Sequence, residues 1–212
     1  MTQPRKLLTL AYLGWLASFF VLRQLGTWLP FAFVGVLLTA LIVQSTAVPL
    51  VDFRPSARSW LMGAGAGMVM VLATHLAYGW LSAAFPAVRT ETLELFSRLK
   101  VVGVSARARA ALIVVIASCE EVLFRGLLPD STRGTPPRAR WPRGQELRAI
   151  TGWSVVYALT TLPLGSPLLV LCAFACGTVW GALRVATGSL LVPILAHVLW
   201  DLGVLIVWPL LP

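Results

Sequence analysis

Charge is what this chain has least of. Lys, Arg, Asp and Glu make up 12% of 212 residues, about half the share of a water-soluble domain, while 58% is hydrophobic and mean hydropathy is +0.84. So few charges cannot cover a surface facing water, so a soluble globular domain is excluded and lipid is the implied solvent. Acids are scarcest, 8 against 17 Lys and Arg, for a net charge of +9. The basic residues cluster in short connections, which suits anionic lipid and leaves no nucleic-acid partner expected. Cysteine is scarce too. Cys119, Cys172 and Cys176 all lie in apolar stretches, which excludes a secreted disulfide framework and leaves packing as their role. Met1 to Lys6 followed by an apolar run imitates a signal peptide, but no convincing small-x-small cleavage site precedes Arg23, so this run reads as a retained first helix.

What the chain does have is apolar length, together with nine Trp and nine Phe that suit interfacial anchors and lipid-facing bulk. With about 20 residues needed per crossing, the pattern predicts an all-α, polytopic transmembrane bundle of about seven spans. They fall near residues 7–22, 29–51, 59–85, 108–128, 149–162, 166–183 and 189–211. Residues 1–212 read as a single integral membrane domain, multi-pass, with a bacterial inner membrane as the expected location. The lysines and arginines of the connections favour an N-terminus inside. The stretch from Arg89 to Arg109 mixes charge with Leu93, Leu95, Phe96 and Leu99 and predicts a helix lying along the surface. The arginine-rich segment Pro129 to Arg148, with Pro136-Pro137, reads as a polar loop.

The fourth span is anomalous because Glu120, Glu121 and Arg125 sit in it. At about 3 kcal/mol per central charge the cost is roughly 9 kcal/mol, against roughly 4 to 5 gained from about ten apolar side chains. Such a helix persists only if Glu121 and Arg125, four residues apart, pair with each other and Glu120 faces the bundle interior. Glu120 projects about 100° away from Glu121 and can therefore meet a different helix. The last span repeats the anomaly with His197 and Asp201, one turn apart beside Trp200. Buried His and carboxylate groups can hold a water, relay a proton, ligate a metal, or simply staple helices together, and the spacing does not choose.

The residues from Glu120 to Gly126 resemble the EExxxR motif, with its trailing glycine, of the CPBP intramembrane proteases, which include the type II CAAX prenyl endopeptidases and bacteriocin-processing, Abi-like proteins. A second block, from Phe174 through Gly177, Gly181 and Thr187-Gly188-Ser189 to His197 and Asp201, resembles the family's glycine-spaced helix, its turn and its HxxxN/D motif. The resemblance covers about residues 105–205, and the first three spans carry no diagnostic motif. It implies an intramembrane endopeptidase acting on a membrane-associated protein or peptide tail. Glu120 would activate water, Glu121 and Arg125 would fix the helix and tune Glu120, and His197 and Asp201 would steady the oxyanion. The family's middle motif places a His four residues after an aromatic; after Tyr157 that place is taken by Thr161. The substitution favours a metal-free glutamate mechanism, although a zinc site from Glu120, His197 and Asp201 stays arithmetically open and with it the metalloendopeptidase description. It also keeps in view a catalytically silent membrane scaffold or binding protein; a further alternative is a proton-coupled carrier using the same carboxylates.

Other patterns carry less. Gly63, Gly65 and Gly67 lack the strand and Lys-Ser/Thr of a nucleotide loop, and Gly63-x-x-x-Gly67 predicts close helix packing, as does Gly177-x-x-x-Gly181. Ser154, Ser166 and Ser189 lack a Gly-x-Ser-x-Gly setting. Cys172 and Cys176 have no soft-ligand partner in sequence, and His75 reads as a packed or interfacial histidine.

Overall fold

The computed structural model describes residues 3–45, 48–99, 104–129 and 145–210. Among them, every regular element is helical and there is no strand. The helices are α1 (Gln3–Leu25), α2 (Leu29–Gln44), α3 (Ala57–Ala84), α4 (Pro86–Leu99), α5 (Ala106–Glu121, continued by a π turn Val122–Leu127), α6 (Gln145–Thr160), α7 (Pro167–Thr187) and α8 (Leu191–Leu202, continued by a π turn Gly203–Val207).

Local sequence explains most of the boundaries. Ser56, Ser105 and Ser166 each accept a hydrogen bond from the N–H three residues on, capping α3, α5 and α7. Gly26, Gly165 and Gly188 take positive φ, and two of them end α1 and α7 with an N–H returned to a carbonyl four residues back. The second candidate span is shorter than its apolar run. α2 stops at Gln44, and Leu50–Phe53 forms a separate 3-10 turn behind Pro49, which has no N–H to give a helix. The surface helix is likewise narrower than expected. It covers Pro86–Leu99, and Arg107 and Arg109 belong to the first turn of α5. Of the predicted loop from Pro129 to Arg148, residues 130–144 lie outside the described residues, and Gln145 to Arg148 already belong to α6.

Among the described residues, three helices are long and apolar enough to cross a bilayer: Lys6–Leu25, Ala57–Ala84 and Pro167–Thr187. Only 17% of the α3 window is buried inside the protein, and Leu61, Leu76 and Trp80 lie open on its outer face. An apolar exterior of this kind is stable in hydrocarbon and costly in water. Polarity is correspondingly inside, with Glu120, Glu121, Arg125, Ser154, Thr160, Thr161 and His197 all buried.

Two glycine pairs bring the helices close enough to enclose those groups. A Cβ on Gly63 would fall 2.7 Å from Leu195 Cβ, and one on Gly67 would fall 2.9 Å from Leu199 Cβ, so α3 and α8 meet nearly backbone to backbone. Gly177 and Gly181 do the same for α7 against α6: a Cβ on Gly181 would sit 3.1 Å from Ile150. Those contacts set α8 and α7 around α5.

Candidate active site

Glu120 and Glu121 end the regular part of α5, where the helix widens into its π turn, and Arg125, four residues on, lies on the same side as Glu121. Arg125 Nη1 lies 3.2 Å from Glu121 Oε1, with both side chains almost wholly buried. Among the described residues neither Nη of Arg125 makes a hydrogen bond. Ring faces flank the guanidinium instead, with its carbon 4.5 Å from the Tyr157 centroid and 5.3 Å from that of Trp180.

Glu120 does reach other helices. Its Oε1 accepts from Trp15 Nε1 on α1 at 3.0 Å, and its Oε2 accepts from the Tyr157 hydroxyl on α6 at 3.0 Å. Both carboxylates nevertheless converge on one imidazole, which the 100° argument did not anticipate. His197 Nδ1 lies 2.9 Å from Glu121 Oε1, while its Nε2 lies 3.6 Å from Glu120 Oε2 and 3.5 Å from Asp201 Oδ2. A carboxylate oxygen accepts, so Nδ1 carries the proton of that bond and Nε2 is the atom turned toward Glu120 and Asp201. Trp180 stacks on the ring at 3.6 Å and fixes its plane.

A cavity of about 550 Å³ opens from this cluster. Glu120, Tyr157, Thr161, His197 and Asp201 line it, whereas Glu121 and Arg125 do not. It runs to the end of the bundle where Trp28, Leu99 and Leu168 form its wall, and its remaining lining is almost entirely apolar. The site therefore divides into a carboxylate facing usable space and an ion pair packed behind it. Thr161 follows α6, and its hydroxyl donates to the Ala158 carbonyl at 2.8 Å, which leaves its oxygen lone pairs for the cavity.

The remaining sequence candidates lie elsewhere or serve packing. His75 lies between the carbonyls of Val71 and Trp208, 2.9 Å from each, and stacks on the Trp208 ring at 3.8 Å, away from the cavity lining. Ser154 and Ser166 are occupied by backbone hydrogen bonds, and Ser189 holds a turn. Cys172 and Cys176 line the cavity as free thiols. Among the described residues, no three His, Cys, Asp or Glu side chains are grouped to hold a metal ion.

Sequence reasoning missed Trp15 and Trp180. Trp15 sits in a span without a motif, and only the fold brings it 105 residues along the chain to Glu120. Trp180 had a signal in its place between Gly177 and Gly181, since the residue beside a close-packing glycine is held against the neighbouring helix.

Residues 104–203 match the Rce1-like family, described as type II CAAX prenyl endopeptidase Rce1-like. This match supports the recognition of the CPBP family that the two motif blocks resemble. The kind of function that goes with it is that of a CAAX-type intramembrane protease, and the apolar helices make the chain a membrane protein. Comparison with curated proteins and with solved structures returns no match.

Proposed function

We propose that the chain is an intramembrane endopeptidase that cuts a membrane-associated protein or peptide tail, with Glu120 as the base that activates water. The observation that carries this reading is the division of labour between the two adjacent glutamates. Glu120 faces a large, mostly apolar cavity, and Glu121 is turned away from it into an ion pair. An oxygen about 2.8 Å from each partner can touch both Glu120 Oε2 and His197 Nε2, or both His197 Nε2 and Asp201 Oδ2. A water there would lose its proton to Glu120 as it attacks the scissile carbonyl. The C–N bond then breaks as that proton passes to the leaving amine, and the carbonyl oxygen, negative in between, accepts from an Nε2–H of doubly protonated His197, a proton that Asp201 supports.

In this mechanism Trp15 and Tyr157 hold the Glu120 carboxylate by one oxygen each, so that the base is aimed before substrate arrives. Thr161 stands as an acceptor toward the cavity in the place of the family's middle His. The apolar lining suits a hydrophobic or prenylated tail delivered from the bilayer, and the setting fits a multi-pass protein of a bacterial inner membrane. The reading is metal-free, with a zinc-dependent variant as its alternative.

The test is cleavage of a farnesylated CAAX reporter peptide by the full chain in lipid vesicles. Glu120→Gln should lower turnover by about 10²- to 10⁴-fold at unchanged protein yield, and a chelator should leave wild type unaffected. Equal cleavage by Glu120→Gln would refute the base assignment, while loss of activity on chelation, restored by zinc, would replace it with the metal variant.

A further inference from the structure

We propose that Arg184, anchored by Asp52, is a positioning residue for the Glu121–Arg125 ion pair, acting through the backbone of Arg125. Pro129 follows the π turn by two residues. A proline has no N–H, so the Arg125 carbonyl, four residues earlier, receives no α-helical hydrogen bond from it. The helix has already changed its ladder at this point, since the N–H of Leu128 returns to the carbonyl of Leu123, five residues back. Arg184, in the last turn of α7, supplies a donor: its Nε–H reaches the Arg125 carbonyl at 3.1 Å.

The rest of the same guanidinium is spent on two other segments. Nη2 pairs with the Asp52 carboxylate in the 3-10 turn after α2, and Nη1 donates to the Gly188 carbonyl. Asp52 is itself tied down, because its backbone carbonyl accepts from the Leu190 N–H at 2.8 Å. Three nitrogens of one planar fork thus join α5, the turn after α2 and the end of α7. Lysine, with one nitrogen, cannot reproduce that geometry.

Fixing this carbonyl matters because neither Nη of Arg125 makes a hydrogen bond among the described residues, so the guanidinium is placed by its backbone, two ring faces and the ion pair itself. Arg125 faces Glu121, and Glu121 orients His197 through Nδ1. Neither Arg184 nor Asp52 lines the cavity, so their effect belongs on turnover rather than on substrate capture.

One arm of the test is independent of the protease reading and the other rests on it. Hydrogen exchange on the full chain in lipid nanodiscs should show the amides of residues 122–128 exchanging roughly tenfold faster in Arg184→Gln and Arg184→Lys, with α1 and α3 unchanged. Wild-type exchange over 122–128 in Arg184→Gln would overturn the proposal, whether or not any peptide is cut. In the second arm, kcat per mole of folded protein for the farnesylated CAAX reporter should fall roughly tenfold in both variants, with KM within about twofold. Reduced folded yield at unchanged kcat, or a raised KM at unchanged kcat, would leave Arg184 a merely structural residue and also overturn it. Should Arg184→Gln not fold, Asp52→Ala keeps the arginine but frees its anchor. It should shift both readouts the same way, and wild-type values in both would contradict the scheme. A wild type that does not cut the reporter counts against the protease reading, and the exchange arm still decides this one.

Discussion

Glu120 and Glu121 are neighbours with the same side chain, and their surroundings give them different work. Glu121 is fully enclosed between Arg125 and His197, and it has no route to the cavity. Replacing it with alanine leaves the Arg125 charge buried without a partner. Breaking a buried pair in this way costs about 3 to 5 kcal/mol, so Glu121→Ala should reduce the amount of folded protein recovered from membranes. Glu120→Gln keeps the size of the side chain, its amide oxygen can still accept from Trp15 and its NH2 can donate to the Tyr157 hydroxyl oxygen, so its yield should match wild type. Thermal unfolding in detergent, read for both variants, checks the contrast. Equal melting of the two would mean that the ion pair does not hold the helix. Thr161 belongs to the same scale. Its hydroxyl is committed as a donor to Ala158, so in the proposed mechanism it can steady a water only by accepting from it.

The helices contribute chiefly by how closely they approach. α7 lies against α6 through Gly177, where a Cβ would come 2.9 Å from Arg125 Nη2 and 3.1 Å from Tyr157 Cδ1. Gly177→Ala should therefore displace the two side chains that flank the buried carboxylates. An activity loss of roughly tenfold or more, with overpacking that destabilises by about 1 to 3 kcal/mol, is expected in the reporter assay and in thermal melts. Gly65→Ala, on the open face of α3 with nothing within 4 Å of the added carbon, is the matched control and should behave as wild type. Much of this level was legible in the sequence. Charges in an apolar run identified α5 and α8, and Gly-x-x-x-Gly spacing identified the close pairs. The end of α2 was not legible, because Val48, Leu50 and Val51 are apolar without being α-helical, and Leu50 and Val51 belong to the 3-10 turn that carries Asp52 to Arg184. The π turn was not legible either, as nothing in Val122 to Leu127 departs from an ordinary helical composition. Trp15 could not be found because its partner is set by tertiary packing and not by spacing.

At the scale of the whole molecule, polarity is turned inward: an apolar exterior on α1, α3 and α7 surrounds a buried cluster of two glutamates, an arginine and a histidine. Ionisable groups held inside a lipid-facing bundle are costly, and here two of them, Glu120 and His197, border a cavity of about 550 Å³, so the arrangement favours chemistry over simple stapling of helices. A silent scaffold would need the buried cluster for stability alone, and a carrier would need a path that passes through it. The measurement that separates these most directly is membrane proteomics of protein ends in cells carrying wild type, the Glu120→Gln variant or a deletion. The account predicts that particular N- or C-terminal fragments of membrane proteins appear with wild type and vanish with both Glu120→Gln and the deletion. Identical fragments from wild type and Glu120→Gln, with a phenotype persisting in the deletion, would contradict it.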